Sequence, residues 1–377
     1  MNANINQKNQ QQADLFKNRL TKNLKNLKKW SRKNRISCFR LYDRDIPEIP
    51  LAADIYTFLP PYTDTKEEAA LFINRKNEAI SANSPEAATI LAEEGERSFL
   101  LLYLYERPYE KDPEEEEIWL ECMAQAAAES LQIKKENVII KTRRKQSDGE
   151  KREQYQKNDS KNIFRLTQEQ GQLFLINIDD YLDTGLFFDH RPLRKTVRES
   201  CRGKSVLNLF CYTGSFSVYA AEGGAKRVTS VDMSNTYLEW AKRNMEKNEF
   251  TDPEKYIFVR QDVNGFLNQM NAEIPNSQGS NRFDLIILDP PTFSNSKRTE
   301  HTLDINRDWP DLVKKCLSLL NDKGTLYFST NSRRLSFDQA LLPPGTIVSD
   351  ISESSIPEDY RNKKIHRCWK LQNPKEA

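Results

Sequence analysis

Ser205-Val206-Leu207-Asn208-Leu209-Phe210-Cys211-Tyr212-Thr213-Gly214-Ser215 is the stretch on which the fold turns. Its first half is a short apolar run, its second half a turn with one glycine, and Ser215–Ala221 continues as a helix. A strand that is apolar on both faces belongs in a parallel sheet covered by helices. Downstream, Arg227–Val231, Tyr256–Arg260, Phe283–Leu288 and Thr325–Ser329 read as further strands, with helices at Asn235–Asn248 and Trp309–Leu320. This alternation predicts an α/β, doubly wound, mostly parallel sheet. Thr346–Ser349 and Ile365–Leu371 have little helix between them, which predicts an antiparallel hairpin at one edge.

This domain is expected over 186–377. Upstream, 46–185 reads as a smaller α+β domain, with strands at Ala52–Phe58, Ser98–Tyr105, Asn137–Thr142, Ile163–Leu166 and Leu173–Ile178 and a helix at Glu114–Leu131. Asn74–Arg97 reads as a polar, Ala-rich insertion without an assigned function. Residues 1–13 are rich in Asn and Gln and are expected to be a disordered tail. Residues 14–45 form a basic amphipathic helical segment in which Asp14 is placed to cap and Phe16, Leu20, Leu24, Leu27 and Trp30 recur at helical spacing.

The 377 residues carry 18 Phe, 14 Tyr and 5 Trp, too many aromatics for a wholly disordered chain. No apolar run approaches the roughly 18 residues of a membrane span, and the N-terminus has no signal-like apolar core. Six scattered cysteines without CxxC spacing, and three histidines, give no metal-site pattern, so no metal is expected. The expectation is a soluble, reduced, cytoplasmic protein with no membrane partner. The net charge of +2 conceals blocks: residues 60–122 hold sixteen acids against six bases, whereas 15–42 contain Lys and Arg and no acid. A second basic block spans 134–165. Basic blocks of this kind point to nucleic acid, although each basic residue alone reads equally as a solvated face.

The glycine turn lacks GxGxxG, so it offers no close cradle for a pyrophosphate. Eighteen residues after Gly214 the second strand ends in Asp232, suited to accept from a ribose diol, and the third leads to Asp262, suited to accept from an adenine amine. One glycine and two acids at successive strand ends point to S-adenosylmethionine. The cofactor-binding candidates here are Phe210, Tyr212, Gly214, Asp232, Met233 and Asp262. The fourth strand delivers Asp289-Pro290-Pro291-Thr292-Phe293, whose prolines stop the ladder and stiffen the exit loop beside the cofactor crevice. Asp289, Pro290, Pro291 and Phe293 are the candidates for positioning a methyl acceptor, Asp289 also facing the cofactor.

Several stretches resemble one family: Asn18-Arg19-Leu20 with Lys22-Asn23-Leu24-Lys25, Tyr181 to Phe187, Asp189-His190-Arg191, Val231-Asp232-Met233-Ser234, and Asp289 through Lys297. The chain is similar over roughly 15–372 to the RlmK-type large-subunit rRNA (guanine-N7)-methyltransferases, without the THUMP-containing half that fused members carry. The resemblance implies a Rossmann-like class I S-adenosylmethionine-dependent methyltransferase fold, 23S rRNA or a large-subunit assembly intermediate as partner, and methylation at guanine N7. It also implies that the segment matching Thr184–Arg191 closes over the cofactor, which adds Thr184, Asp189 and Arg191 to its candidate ligands. Guanine N7 has an in-plane lone pair and needs neither a base nor a covalent intermediate, whereas cytosine C5 needs a thiolate. No cysteine stands in the proline loop or in Phe328–Arg333. For RNA the candidates are Lys22, Lys25, Lys29, Arg143, Arg144, Lys145, Lys297 and Arg298, with Phe293 placed to stack on an extracted base. The competing readings are methylation of cytosine C5 or an exocyclic amine, a small-molecule methyltransferase, and a non-catalytic ribosome assembly factor.

Overall fold

A computed structural model of the protein describes residues 2–105, 111–143, 161–273, 282–294 and 302–374. The chain divides into two compact units, 1–188 with 359–361, and 189–358 with 362–377. The boundary therefore falls after Phe188 rather than after residue 185, and three late residues belong with the first unit.

In the first unit, α1 (Asn2–Lys33) leads into β1 (Cys38–Asp43), β2 (Leu51–Thr57), α2 (Lys66–Ser81), α3 (Pro85–Glu96), β3 (Ser98–Tyr105), α4 (Pro113–Leu131), β4 (Val138–Arg143), β5 (Arg165–Glu169) and β6 (Gln172–Ile176). The sheet order is β1-β2-β3-β4, antiparallel except for β3–β4. That last pair is parallel because α4 supplies the crossover, as parallel strands require. One face of α1 is buried through Ala13, Phe16 and Leu20, and Phe16 meets the Tyr42 ring edge-on at 4.9 Å.

Two expectations are corrected here. Residues 2–13 are the opening turns of α1 rather than a disordered tail, because Asn9 is buried and Gln12 accepts a bond from the Trp119 indole of α4. Asp14 consequently lies inside the helix and caps nothing, and the 14–45 segment also contains β1. Residues 74–97, the polar, Ala-rich segment, belong largely to α2, which has a Thr65/Glu68 capping box, and to α3. Asp359 and Arg361 reach the first unit through the Arg40 amide, 3.0 Å from Asp359 Oδ2, and the Asp45 carbonyl, 3.3 Å from Arg361 Nη1.

The second unit contains α5 (Arg191–Ser200), β7 (Ser205–Leu209), α6 (Ser215–Glu222), β8 (Arg227–Asp232), α7 (Asn235–Lys247), β9 (Tyr256–Arg260), α8 (Val263–Glu273), β10 (Phe283–Leu288), the two-residue strands β11 (Phe293–Ser294) and β12 (Leu303–Asp304), α9 (Ile305–Ser318), β13 (Leu320–Thr330), β14 (Ile347–Asp350), α10 (Ser352–Ser355) and β15 (Arg367–Gln372). Its seven-stranded sheet has the order β14-β15-β13-β10-β7-β8-β9. Strands β13, β10, β7, β8 and β9 run parallel, and β15 and β14 add the antiparallel edge. The fold is Rossmann-like α/β. The order reverses at β7 and β10, so a crevice opens at their carboxyl ends, where such sheets bind ligands. Among the described residues no helix is long and apolar enough to cross a membrane.

Candidate active site

The turn after β7 is built under backbone strain. Phe210, Tyr212 and Gly214 all have positive φ, at 54°, 49° and 75°. Two of the three are not glycine, and such conformations persist only where neighbours enforce them, commonly at functional sites. Here the Cys211 amide donates to the Val231 carbonyl, the Tyr212 amide to Asp232 Oδ2 at 3.0 Å, and Asn244 Nδ2 to the Thr213 carbonyl. A Cβ at Gly214 would stand 2.8 Å from the Ala241 Cβ of α7, so only glycine lets turn and helix approach this closely.

Asp232 sits at the end of β8 with Oδ1 accepting from the Ser234 amide at 2.8 Å. Burial raises its pKa above the ordinary carboxylate value, and the amides of Ser234, Tyr212 and Met233 only partly offset this. Each oxygen retains a lone pair beyond its backbone bond. Asp262 stands at the start of α8, where Oδ2 accepts from the Gly265 amide at 2.9 Å. That is a capping role, and it leaves Oδ1 for a ligand.

Asp289 follows β10, whose Leu288 is in register with Leu209 of β7 and Phe328 of β13. Ser329 donates to Asp289 Oδ1, and His190 Nε2 is 3.4 Å from Oδ2. The proline loop is held at its far end, where Thr292 Oγ1 donates to Asn331 Oδ1 at 2.7 Å and the Thr292 carbonyl accepts from the Ile305 amide. Phe293 is 45% exposed.

Of the other sequence candidates, Asp189 and Arg191 are in the second unit, and Arg191 is almost fully buried. Thr184 belongs to the first unit, where its hydroxyl bonds the Tyr56 hydroxyl at 2.8 Å. Lys22, Lys25 and Lys29 are exposed on α1 without an ion pair among the described residues. Arg143 ends β4, while Arg144, Lys145, Lys297 and Arg298 lie outside the described residues.

Sequence reasoning missed a buried chain of polar groups next to Asp289. His366 Nδ1 is 3.0 Å from Asp189 Oδ2, His366 Nε2 is 2.8 Å from Ser355 Oγ, and the His190 and His366 rings stack at 4.5 Å. The available signal was the scarcity of histidine, only three in the chain. One donor atom each of Asp189, His190 and His366 lies within 4.8 Å of the others. Both His366 nitrogens are already engaged by Asp189 and Ser355, so the group reads as a hydrogen-bonded chain.

The cysteines are free, and burial pushes the thiols of Cys201, Cys211, Cys316 and Cys368 up, away from the thiolate.

Residues 89–350 match the family model of S-adenosylmethionine-dependent methyltransferases. The chain is 42% identical over 358 residues to ribosomal RNA large subunit methyltransferase K of Neisseria meningitidis, covering 95% of this chain and 87% of that one. It is 38% identical over 365 residues to ribosomal RNA large subunit methyltransferase K/L of Methylococcus capsulatus, covering 97% of this chain but only 43% of that longer protein. Among solved structures, a methyltransferase in complex with SAH superposes with a TM-score of 0.63 at 19% identity, over 95% of this chain and 81% of that one, which is a likeness of fold. The residues fit this family's cofactor, with a single-glycine turn that lacks GxGxxG and half-buried carboxylates that keep acceptor capacity. The chain belongs to the S-adenosylmethionine-dependent methyltransferases, in the group of ribosomal RNA large subunit methyltransferase K.

Proposed function

We propose that this protein methylates guanine N7 of large-subunit (23S) ribosomal RNA. The observation that carries the rRNA substrate is the near full-length similarity to a relative named for large-subunit rRNA methylation. S-adenosylmethionine supplies an electrophilic methyl group on a sulfonium. In this reading Phe210, Tyr212 and Gly214 form the turn that receives the cofactor, with Met233 and the Asp232 carboxylate facing its ribose. The free oxygen of Asp262 faces the adenine amine, and Asp189, Arg191 and Thr184 belong to the segment that closes over it.

N7 is favoured over cytosine C5 by the buried, up-shifted thiols, since C5 chemistry needs a thiolate within reach of the base. For N7 the work of the chain is alignment, worth up to roughly 7–11 kcal/mol, together with exclusion of water. Asp289, Pro290 and Pro291 fix the wall of the acceptor pocket, and Phe293 stacks on the guanine. N7 lies in the deep groove of A-form RNA, so the base must be unpaired or extracted. Lys22, Lys25, Lys29, Arg143, Arg144, Lys145, Lys297 and Arg298 hold phosphates in this reading, before or during assembly of the subunit.

Incubation with labelled cofactor and large-subunit rRNA, followed by mass mapping of modified nucleotides, tests the proposal. The expected product is a single 7-methylguanine. Label in cytosine, in an exocyclic amine or in no RNA overturns it.

A further inference from the structure

Strands β10 and β13 are parallel neighbours whose last paired residues are Leu288 and Phe328, so the segments that follow leave the sheet side by side at the mouth of the crevice. Two side-chain bonds keep them together. Ser329 donates to Asp289 Oδ1 at the strand ends, and farther out Thr292 Oγ1 donates to Asn331 Oδ1 at 2.7 Å. Asn331 is exposed between two buried residues, Thr330 and Ser332. Both neighbours are anchored. The Thr330 hydroxyl accepts from the Ser332 amide at 3.1 Å, Ser332 Oγ donates to Asn306 Oδ1 at 2.6 Å, and the Ser332 carbonyl accepts from Arg367 Nη2 at 3.1 Å. A side chain on a backbone held in this way gives up little conformational freedom when it meets a ligand.

The Thr292 bond also sets which end of the Asn331 amide is left open. Oδ1 takes the hydroxyl hydrogen, while Nδ2 has no hydrogen-bond partner among the described residues. The amide therefore presents a donor. Transfer to guanine N7 suits a donor of this kind. On that edge guanine shows two acceptors, N7 and O6, whereas adenine shows N7 beside an amine that donates. An arginine fork takes N7 and O6 together and so occupies the lone pair that must attack. An amide that meets O6 alone leaves N7 free. Being neutral, it also adds no positive charge beside a ring that turns cationic as the N7–methyl bond forms and the S–methyl electron pair returns to sulfur.

We propose that Asn331 selects guanine, its Nδ2 donating to O6 of the base, and that Thr292 holds the amide in the orientation that does so. This rests on the reading that the proline loop lines the pocket for a guanine. An adenine in the same place sets its amine against the Asn331 amine, donor against donor.

Methylation of large-subunit rRNA, assembled by ligation with 2-aminopurine or 2,6-diaminopurine at the mapped guanine, tests the proposal. Both analogues keep N7, and they replace O6 by a hydrogen and by an amine. Each protein is scored by its ratio of kcat/KM on guanine to kcat/KM on 2-aminopurine, which cancels the analogue's own reactivity. The wild-type ratio is expected to exceed that of Asn331→Ala by about tenfold, the upper size of one neutral hydrogen bond. Thr292→Val, which removes the hydroxyl and keeps the shape, is expected to lower the ratio by a smaller factor. Asn331→Asp, an acceptor in place of a donor, is expected to favour 2,6-diaminopurine over guanine. A purely structural role lowers every rate together and leaves the ratio at its wild-type value, which overturns the proposal. A wild type faster on 2,6-diaminopurine than on guanine also overturns it, as the amide then faces the base with its oxygen. Normal guanine methylation with unchanged ratios sinks this assignment alone. Wild-type protein that transfers no methyl group to guanine N7 overturns the functional reading, and this assignment with it.

Discussion

Asp54 in the first unit and Asp232 in the second are both largely buried aspartates on sheet strands, and they are treated in opposite ways. Both oxygens of Asp54 are taken by the Arg40 guanidinium, at 2.7 and 2.9 Å, and the pair lies between neighbouring antiparallel strands. Asp232 receives only backbone amides, with no cationic partner among the described residues, and burial raises its pKa. The first arrangement cancels its charge internally and has nothing left to offer. The second keeps charge and acceptor capacity at the mouth of a crevice, a cost to the folded state that makes sense where a ligand supplies the missing donors.

The sharpest way to break this contrast is to remove one partner of the internal pair. Arg40→Met should destabilise the protein by about 3–5 kcal/mol, because it strands a buried carboxylate. Urea titration should show this as a lower midpoint, with Arg40→Met/Asp54→Leu recovering much of the loss. A single variant with the wild-type midpoint would remove the distinction drawn between the two aspartates.

At Asp232 the loss should fall on binding instead. Asp232→Asn is expected to weaken cofactor affinity by about 1.5–3 kcal/mol, the usual worth of hydrogen bonds to a charged group, as read by calorimetry. A carboxyl whose pKa is raised on folding is bound to protons more tightly in the native state, so its ionisation opposes folding as pH rises. Stability of the variant near neutral pH should therefore match or exceed wild type. Cofactor affinity of the wild type should fall on acidification from above the ordinary aspartate value of about 3.9, while the variant stays flat. Unchanged affinity in the variant would remove Asp232 from the cofactor site.

The smallest thermodynamic effect is expected on α1. Replacing Lys22, Lys25 and Lys29 by Gln should reduce the salt slope of RNA binding by about two to three units and weaken all RNA sequences alike. Stability should change by no more than about 0.5 kcal/mol, as these side chains are exposed. Wild-type salt dependence would return this face of the helix to solvent.

The features of the second unit that were legible in the sequence are those with local periodicity. Strands β7 to β10, the Gly214 turn and the acids ending or following the strands could be read from short windows, because a buried parallel strand is an uninterrupted apolar run. The order of the sheet follows from right-handed crossovers between such strands. Asp262 shows the limit of that reading, since the same position also serves as a helix cap and only the Gly265 amide reveals it. Long-range partners were not legible. Nothing near Gln12 announces Trp119, and nothing near Asp189 announces His366, 177 residues away. Helix α5, with Arg191 and Arg194 buried, carried too many cations to look like a core element.

The three residues Asp359–Arg361 set a clock for synthesis. Arg40 leaves the ribosome 319 residues before the carboxylate that accepts from its amide. At about 5–20 residues per second, that interval is on the order of 15–60 s. Helix α1 waits as well, since α4, whose Trp119 donates to Gln12, emerges about 5–20 s after it. During that wait the nascent chain displays an uncovered Phe16 and Leu20 stripe flanked by lysines. The first unit is thus completed only after nearly every strand of the second unit's sheet has been made.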